Sequence, residues 1–391
     1  MNICFDTYGC RLNRAEALED EARCQAAGHR IVRYHQEADL IVVRGCSVTS
    51  KAQHECEKVL EHLRKKYPMK RIHVCGCLKD ASPLAFEQPD PVPPVPTSTA
   101  RAYLKAQDGC SGECSFCIVP QFRGTSISED FTSLIDKAKR FIDAGYTEIV
   151  LTGCNLSLYA SQGRRLPELV SALAELSPDT CRIRLGSLEP FLAARETVEA
   201  MAAHRNVCRY LHLPVQSGSN RILERMKRPY TVEEVEALME RARALMPSVA
   251  LGCDMIAGFP GETERDHLDS QSLLQRQKIV KVHSFPFSRR PDTLAATMPC
   301  QLPHEKIKAR AGELADIGKA NRRAFARQFV GRTVEVVIED VEKAAGWTGE
   351  HLWFEQLDAA GTKPLERLAR REKARFVVRK ADDTHLLGAR G

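Results

Sequence analysis

No stretch of the 391-residue sequence approaches the ~18 consecutive apolar residues of a membrane-spanning helix. Its opening, MNICFDTYGC, has neither the basic region nor the apolar core of a secretory leader. Both absences argue against a membrane-bound or exported protein, and a cytoplasmic one is expected. Composition excludes a disordered or fibrous chain, since 43% of the residues are hydrophobic and 28% charged, as in ordinary globular proteins. At this length two or three domains are expected, each able to bury its own core. The net charge of +6 suits a polyanionic partner, but a solvated surface with surplus Lys and Arg gives the same number.

Cysteine is what the sequence has in quantity, with 15 residues. In a reducing compartment so many thiols indicate metal or redox chemistry rather than disulfides. The densest group lies in KAQDGCSGECSFCIVPQFRG (Lys105 to Gly124), where Cys110, Cys114 and Cys117 have no fourth cysteine beside them and no histidine. Structural zinc takes four protein ligands, and catalytic zinc usually includes histidine or carboxylate. An all-thiolate triad fits an iron–sulfur cube better, three cysteines holding three irons and leaving one open. A zinc knuckle lacking a ligand is the competing reading.

Periodicity places these thiols on a scaffold. NICFDT (Asn2 to Thr7), ADLIVVRG (Ala38 to Gly45) and RIHVCG (Arg71 to Gly76) read as strands. Asn13 to Ala27 and Ser50 to Tyr67 read as helices, with Ser50 as N-cap. The alternation predicts a parallel α/β sheet over residues 1–80. Cys10, Cys46 and Cys77 each fall just past the carboxyl end of a strand, where such sheets collect ligands. Cys4, Cys24 and Cys56 read as small buried hydrophobes, and Cys75, inside a strand, is a weaker ligand candidate than Cys77. The proline-rich residues 81–99 predict an extended linker.

From residue 100 to 325 the alternation resumes. Strands are expected at Thr147 to Gly153, Cys181 to Ser187, Arg209 to Val215, Val249 to Phe259 and Lys281 to Phe287. Helices are expected at Ser128 to Ala144, Pro167 to Leu176 and Thr231 to Met246. Repeated βα units of this extent predict a full or partial parallel barrel with its chemistry on the loops after the strands. Residues 326–391 change character: GRTVEVVIEDV, GWTGEHLWFEQL and ARFVVRK alternate apolar and polar residues, which predicts a small antiparallel barrel. Basic residues cluster before it (Lys306, Lys308, Arg310, Lys319, Arg322, Arg323, Arg327, Arg332) and inside it (Arg367, Arg370, Arg371, Lys373, Arg375). Such clusters suit a phosphate backbone, with a solvated helix face as the alternative.

The C-x3-C-x2-C spacing of Cys110, Cys114 and Cys117 resembles the signature of the radical S-adenosylmethionine enzymes. The resemblance implies a 4Fe–4S cluster whose open iron chelates S-adenosylmethionine and whose reduced form cleaves it to a 5′-deoxyadenosyl radical. It also implies that Phe116 packs on the adenosyl side and that Val119 offers backbone to the adenine. LTGCN (Leu151 to Asn155), with Gly153 and Asn155, would lie at the methionyl amino group, Cys154 standing where a valine is expected. LGSLEP, HLPVQSGSNRIL and DMIAGFPGET match later strand-end segments and offer Ser187, Gln216 and Gly258 to the ligand, although Gly258 and Gly261 serve equally as turn residues.

FDTYGCRLN, VVRGCSVT and VCGCLKD, followed by YLKAQDGCSGECSFCIVP, resemble one subfamily in particular, the methylthiotransferases. This implies a second 4Fe–4S cluster on Cys10, Cys46 and Cys77 that carries the sulfur. One S-adenosylmethionine would methylate that sulfur, and a second would yield the radical that opens an adenine carbon to it. No protein general base is required. GWTGEHL resembles the TRAM domain, an RNA-binding barrel, so tRNA is the implied partner. A reductant such as flavodoxin or ferredoxin is expected, and the protein is expected to act as a monomer. YGCRLN, LKAQDGC and LPVQSGSNRILERMKRPYT look most like the branch acting on threonylcarbamoyladenosine beside the anticodon. The alternatives are the branch that modifies a ribosomal-protein aspartate and a non-catalytic iron–sulfur RNA-binding protein. Only a short segment separates Cys77 from Cys110, where a longer connection completing the first domain is expected.

Overall fold

The computed structural model describes residues 1–78, 81–82, 84, 99–176, 179–357, 369–382 and 385–390. The expected linker over 81–99 therefore lies almost wholly outside the described residues. Among those described, no helix is long and apolar enough to cross a membrane.

The first domain is a four-stranded parallel sheet in the order Arg30–Ile31, Asn2–Thr7, Leu40–Gly45, Arg71–Gly76. The strand LIVVRG is buried along its whole length, as expected of a central parallel strand covered on both faces. Helices Arg11–Ala26 and Ser50–Lys66 flank the sheet. The second is capped by Thr49, whose side chain accepts from the Ala52 amide. Ser50, expected as the cap, instead bonds through its amide and hydroxyl to Ser288 Oγ in the central domain. The first helix begins two residues earlier than its composition suggests, so that Cys10 occupies the cap position. Cys4 and Cys56 pack in one core of this sheet and Cys24 and Cys75 in the other.

The central domain places Ala102–Asp108, Glu148–Gly153 and Arg182–Leu185 in one parallel group, and Tyr210–Gln216, Ala250–Ala257 and Lys281–Pro286 in a second. Parallel bridges from Ile183 to Val207 and from Ser187 to His212 join the two groups, making a partial parallel barrel. Helices Phe131–Asp143, Leu166–Glu175 and Val232–Leu245 lie where expected, and Ala194–Ala203 and Glu264–Arg276 fill the same role after later strands. The long helix His304–Arg327 packs on the second group of strands. It approaches so closely that a Cβ on Gly318 would stand 2.7 Å from Val282 Cβ. This helix runs through the expected domain boundary at 325/326, and the first strand of the last domain begins only at Thr333.

The last domain closes as a five-stranded barrel. It is not wholly antiparallel: Trp353–Gln356 and His385–Arg390 pair in parallel. Strand directions cannot alternate all the way around a ring with an odd number of strands, so one parallel ladder is unavoidable.

This barrel is docked by charge. Glu148, at the start of a central strand and fully buried, accepts from Arg182 Nε at 2.6 Å and Arg184 Nε at 2.7 Å. The same arginines reach across to the barrel, Arg182 Nη2 donating to the Trp347 carbonyl at 2.6 Å and Arg184 Nη2 to that of Thr348 at 2.7 Å. Arg101 completes the set on Glu339 at 2.6 Å. Burial opposes ionisation of Glu148, but Arg184 and Arg182 outweigh it and hold the carboxyl well below the usual range. Replacing Glu148 by Ala would leave these buried guanidinium groups without their counter-charge. The expected loss is about 3–5 kcal/mol in denaturant unfolding; a loss under about 1 kcal/mol would show that water compensates the arginines.

Candidate iron–sulfur and S-adenosylmethionine site

The three thiols of the first domain converge because their strands are adjacent and in register. Cys77 N–H donates to the Gly45 carbonyl at 3.1 Å, and Tyr8 N–H to that of Arg44 at 2.9 Å. Gly9, with φ +99, lies so close to the second loop that a Cβ there would stand 2.6 Å from Cys46 Cβ. Asn13, fully buried, ties the first two loops together by donating to the Tyr8 and Gly45 carbonyls, both at 2.8 Å. Cys10 is exposed, whereas Cys46 and Cys77 are buried. Burial pushes the Cys46 thiol up to about 11, and Cys10 and Cys77 add to the shift; burial also raises Cys77, against the pull of Arg123. Cys75 packs instead among Ile3, Cys24, Leu40 and Val42. It lies inside the strand with its side chain in the core, whereas Cys77 lies past the strand's end.

The second triad occupies the loop after Ala102–Asp108. Cys110 N–H bonds to the Gly124 carbonyl at 3.0 Å, which closes the loop at its base. Ser115 anchors the middle, donating through Oγ to the Arg225 carbonyl at 2.9 Å and through its amide to that of Met226 at 3.1 Å. N–H donors surround the sulfurs: Gly112 N reaches Cys110 Sγ at 3.4 Å and Arg228 Nη1 reaches Cys114 Sγ at 2.8 Å. A Cβ on Gly112 would meet both Cys110 Sγ and Cys114 Sγ. Burial pushes Cys117 up to about 12, the Val119 amide opposing it.

Each triad offers three thiols and no histidine, a donor set that suits an iron–sulfur cube better than a single zinc ion. Buried neighbouring thiols that resist ionisation become thiolates when a metal supplies the charge, and the donors around Cys110 and Cys114 suit sulfur in that state.

A cavity of about 300 Å³ lies beside the radical loop, where the first domain meets the central one. Phe116, Cys117 and Ile118 line it from one loop, and Val48 and Thr49 from the segment after Cys46. Of the residues expected to meet S-adenosylmethionine, Phe116, Asn155, Ser187 and Gln216 line this cavity. Val119 gives its amide to Cys117. Gly153 stands behind the wall, leaving room for Gln107, whose Oε1 accepts from the Asn155 amide at 2.8 Å. Gly258 turns away from the cavity: with φ +76, its Cβ position would be 2.5 Å from Ile307 Cγ1, so it serves packing of the long helix.

Glu189, Asp254 and Arg290 line the cavity without having been singled out in the sequence. Glu189 is hydrogen-bonded to Arg228; burial nevertheless pushes its carboxyl up to about 7. Asp254 accepts from His212 Nε2 and His283 Nδ1, both at 3.0 Å, and Tyr210 OH meets the other nitrogen of His212 at 2.9 Å. Cys154 lines the cavity with its Sγ 3.6 Å from Asp108 Oδ1. Arg290, 5% exposed, bonds to Ser50 Oγ at 3.2 Å and Gln53 Oε1 at 2.5 Å, and its Nε has no partner. A position past the end of a barrel strand was the available signal for most of these.

Residues 104–274 match the Radical SAM superfamily, and residues 2–93 match an uncharacterized protein family, UPF0004. The threonylcarbamoyladenosine tRNA methylthiotransferase MtaB of Chlamydia pneumoniae is 30% identical over 390 residues, covering 92% of each chain. The tRNA-2-methylthio-N(6)-dimethylallyladenosine synthase of Erythrobacter litoralis is 32% identical over 402 residues, covering 90% of each. The chain belongs to the radical S-adenosylmethionine tRNA methylthiotransferase family. Membership brings a 4Fe–4S cluster, S-adenosylmethionine and a tRNA substrate. Among solved structures, the radical S-adenosylmethionine methyltransferase TsrM of Kitasatospora setae shares the fold, with a TM-score of 0.55 at 13% identity over 75% of this chain and 76% of that one.

The geometry separates two neighbouring thiols of this methylthiotransferase. If Cys77 is a ligand, Cys77→Ala should lower the iron and sulfide content of the reconstituted protein, while Cys75→Ala should leave both unchanged. Equal losses in the two variants would mean that Cys75 can ligate.

Proposed function

We propose that the protein inserts a methylthio group into N6-threonylcarbamoyladenosine next to the tRNA anticodon, using two 4Fe–4S clusters, one on Cys110, Cys114 and Cys117 and one on Cys10, Cys46 and Cys77. The observation that carries the reading is that one cavity is lined both by Cys117 of the radical loop and by Val48 and Thr49 of the segment that follows Cys46, so the two cysteine-bearing domains meet at one site. When bound, the clusters and S-adenosylmethionine supply the radical and the sulfur. The protein's own groups do the rest. Phe116, Ile118, Ile256 and Phe287 give the cavity apolar walls that exclude water, while Asn155, Ser187 and Gln216 offer polar contacts that orient a zwitterionic ligand. Arg228 holds Glu189 at the wall and donates to Cys114.

MtaB proteins, including that of Bacillus subtilis at 29% identity, and dimethylallyladenosine synthases align equally well with the chain, and one feature of the cavity supports the threonylcarbamoyl substrate. Arg290 brings a buried guanidinium to the cavity, and no acidic partner accompanies it among the described residues. A carboxylate on the N6 substituent would complete that arginine, whereas a dimethylallyl group would leave it unmatched. The remaining reading is of a cytoplasmic monomer supplied with electrons by a reductant such as flavodoxin or ferredoxin.

The basic surface is narrower than its sequence suggests. Arg310 is buried on Glu262 and Glu264. Arg371 lies 3.6 Å over the Tyr146 ring and donates to the Thr99 and Ala144 carbonyls, and Lys373 bonds to the Asp179 carbonyl. Arg371 and Lys373 thus dock the last domain on the central one, while Arg310 ties the long helix to the loop after Ala250–Ala257. Arg367 lies outside the described residues. The cations of these clusters left exposed are Lys306, Lys308, Lys319, Arg323, Arg327, Arg332, Arg370 and Arg375, with Arg379 and Lys380 beside them, and these are the ones offered to phosphates.

Nucleoside mass spectrometry of tRNA from cells lacking the protein tests the substrate. Loss of 2-methylthio-N6-threonylcarbamoyladenosine is expected; loss of the 2-methylthio-dimethylallyl nucleoside would assign the chain to the other branch. The double charge reversal Arg327→Glu with Arg375→Glu should weaken tRNA binding at low salt and reduce the salt slope by about two. Affinity and slope equal to those of the unaltered protein would place the tRNA elsewhere.

A further inference from the structure

Arg123 ends the short helix Val119–Arg123 that follows the radical loop, yet its side chain leaves the central domain and enters the first. It is 8% exposed, and all five of its N–H groups have acceptors. Nε donates to Cys77 Sγ at 2.9 Å. Nη1 donates to Glu16 at 2.9 Å and to Asp108 at 3.0 Å. Nη2 donates to Asn13 Oδ1 at 2.8 Å and to Glu16 at 3.1 Å. These partners lead to every cysteine loop of the first domain, because Asn13 holds the carbonyls of Tyr8, two residues before Cys10, and of Gly45, directly before Cys46. On the other side, Asp108 accepts from the Gly109 amide at 2.8 Å, directly before Cys110, and Gly124, next to Arg123, accepts from Cys110 N–H.

We propose that Arg123 is a positioning residue that couples the two cysteine triads, fixing the first against the radical loop and raising the reduction potential of the cluster held by Cys10, Cys46 and Cys77. The potential part rests on the reading that this first triad holds a cluster. A charged N–H donor to a ligand sulfur draws electron density from it and favours the reduced, more negative state. Lysine would keep the charge but has three donors on one atom, so it cannot serve Cys77, Asn13, Glu16 and Asp108 together.

The test uses full-length reconstituted protein carrying Arg123→Lys or Arg123→Met, with redox titrations followed by electron paramagnetic resonance. Each substitution is placed in two backgrounds, one with Cys110, Cys114 and Cys117 changed to Ala and one with Cys10, Cys46 and Cys77 changed to Ala. The first-triad cluster should titrate at lower potential in both variants, with the larger shift for Met, and the radical cluster should stay where it was. Limited proteolysis of the iron-free protein should be severalfold faster for Met, reporting the loosened interface without any cluster. Faster proteolysis with an unmoved first-triad potential would leave Arg123 as a structural tie and overturn the proposal. Absence of iron from the protein lacking the radical triad would overturn the two-cluster reading itself, and the proposal with it. Arg123→Lys keeps a cation at the interface, so the measurement stands if Arg123→Met fails to fold.

Discussion

Two sets of thiols carried by different sheets are held against each other through the side chain of one arginine, Arg123, and this junction organises the molecule. Each set sits past the carboxyl ends of parallel strands, so the two sheets have to meet rim to rim. Their rims are polar, because strand ends expose loop backbone and the first turns of helices. The junction is accordingly built from charge: Glu16 receives Arg44, Lys105 and Arg123, and Asp108 receives Lys105 and Arg123. Buried ionic networks add little net stability compared with apolar packing, but a misaligned pair is costly. That asymmetry suits an interface whose purpose is spacing.

The cavity is sorted by chemistry. Aromatic and aliphatic groups from the radical loop and the last two barrel strands make its dry walls, while the amide and hydroxyl groups come from the ends of the intervening strands. At its edge Asp254 is shared by two histidines, one fixed in turn by a tyrosine. Such a chain holds each ring in one orientation and keeps the wall rigid behind a ligand.

Legibility in the sequence followed the range of the interaction involved. Three of the four strands of the first domain and the long central strands from Thr147 onward were readable because apolar runs ending at turn residues are local facts, whereas the two-residue strand Arg30–Ile31 and the final strand His385–Arg390 went unread. The strand-end positions of both cysteine triads are local too. Thr49 displaced Ser50 as cap because Ser288, far away in the chain, claims Ser50. The strand Ala102–Asp108 was hidden inside a motif read for its cysteines, and the helix His304–Arg327 inside a run read for its charge. Arg310, Arg371 and Lys373 looked like surface cations until their partners came together in space. Arg123 and Arg290 carried no signal in sequence, since an arginine's neighbours across a domain junction are not written beside it. Gly258 looked like a ligand contact by position, and its role in packing on Ile307 depends on a helix fifty residues later.

The clamp around Glu148 bears on how the molecule is made. Arg182 and Arg184 belong to the central barrel, yet their remaining donors are satisfied by carbonyls of Trp347 and Thr348 in the last domain. A ribosome that has released the central domain has therefore not yet supplied the acceptors its interior requires. Until the final strands emerge, two arginines in that interior lack part of their hydrogen bonding, and the nascent domain has reason to stay open. The last barrel is thus the closing piece of the catalytic domain's own folding rather than an interchangeable module. In evolutionary terms, swapping it for another domain would require those two carbonyls to be reproduced, which ties the history of the barrel to that of the catalytic core.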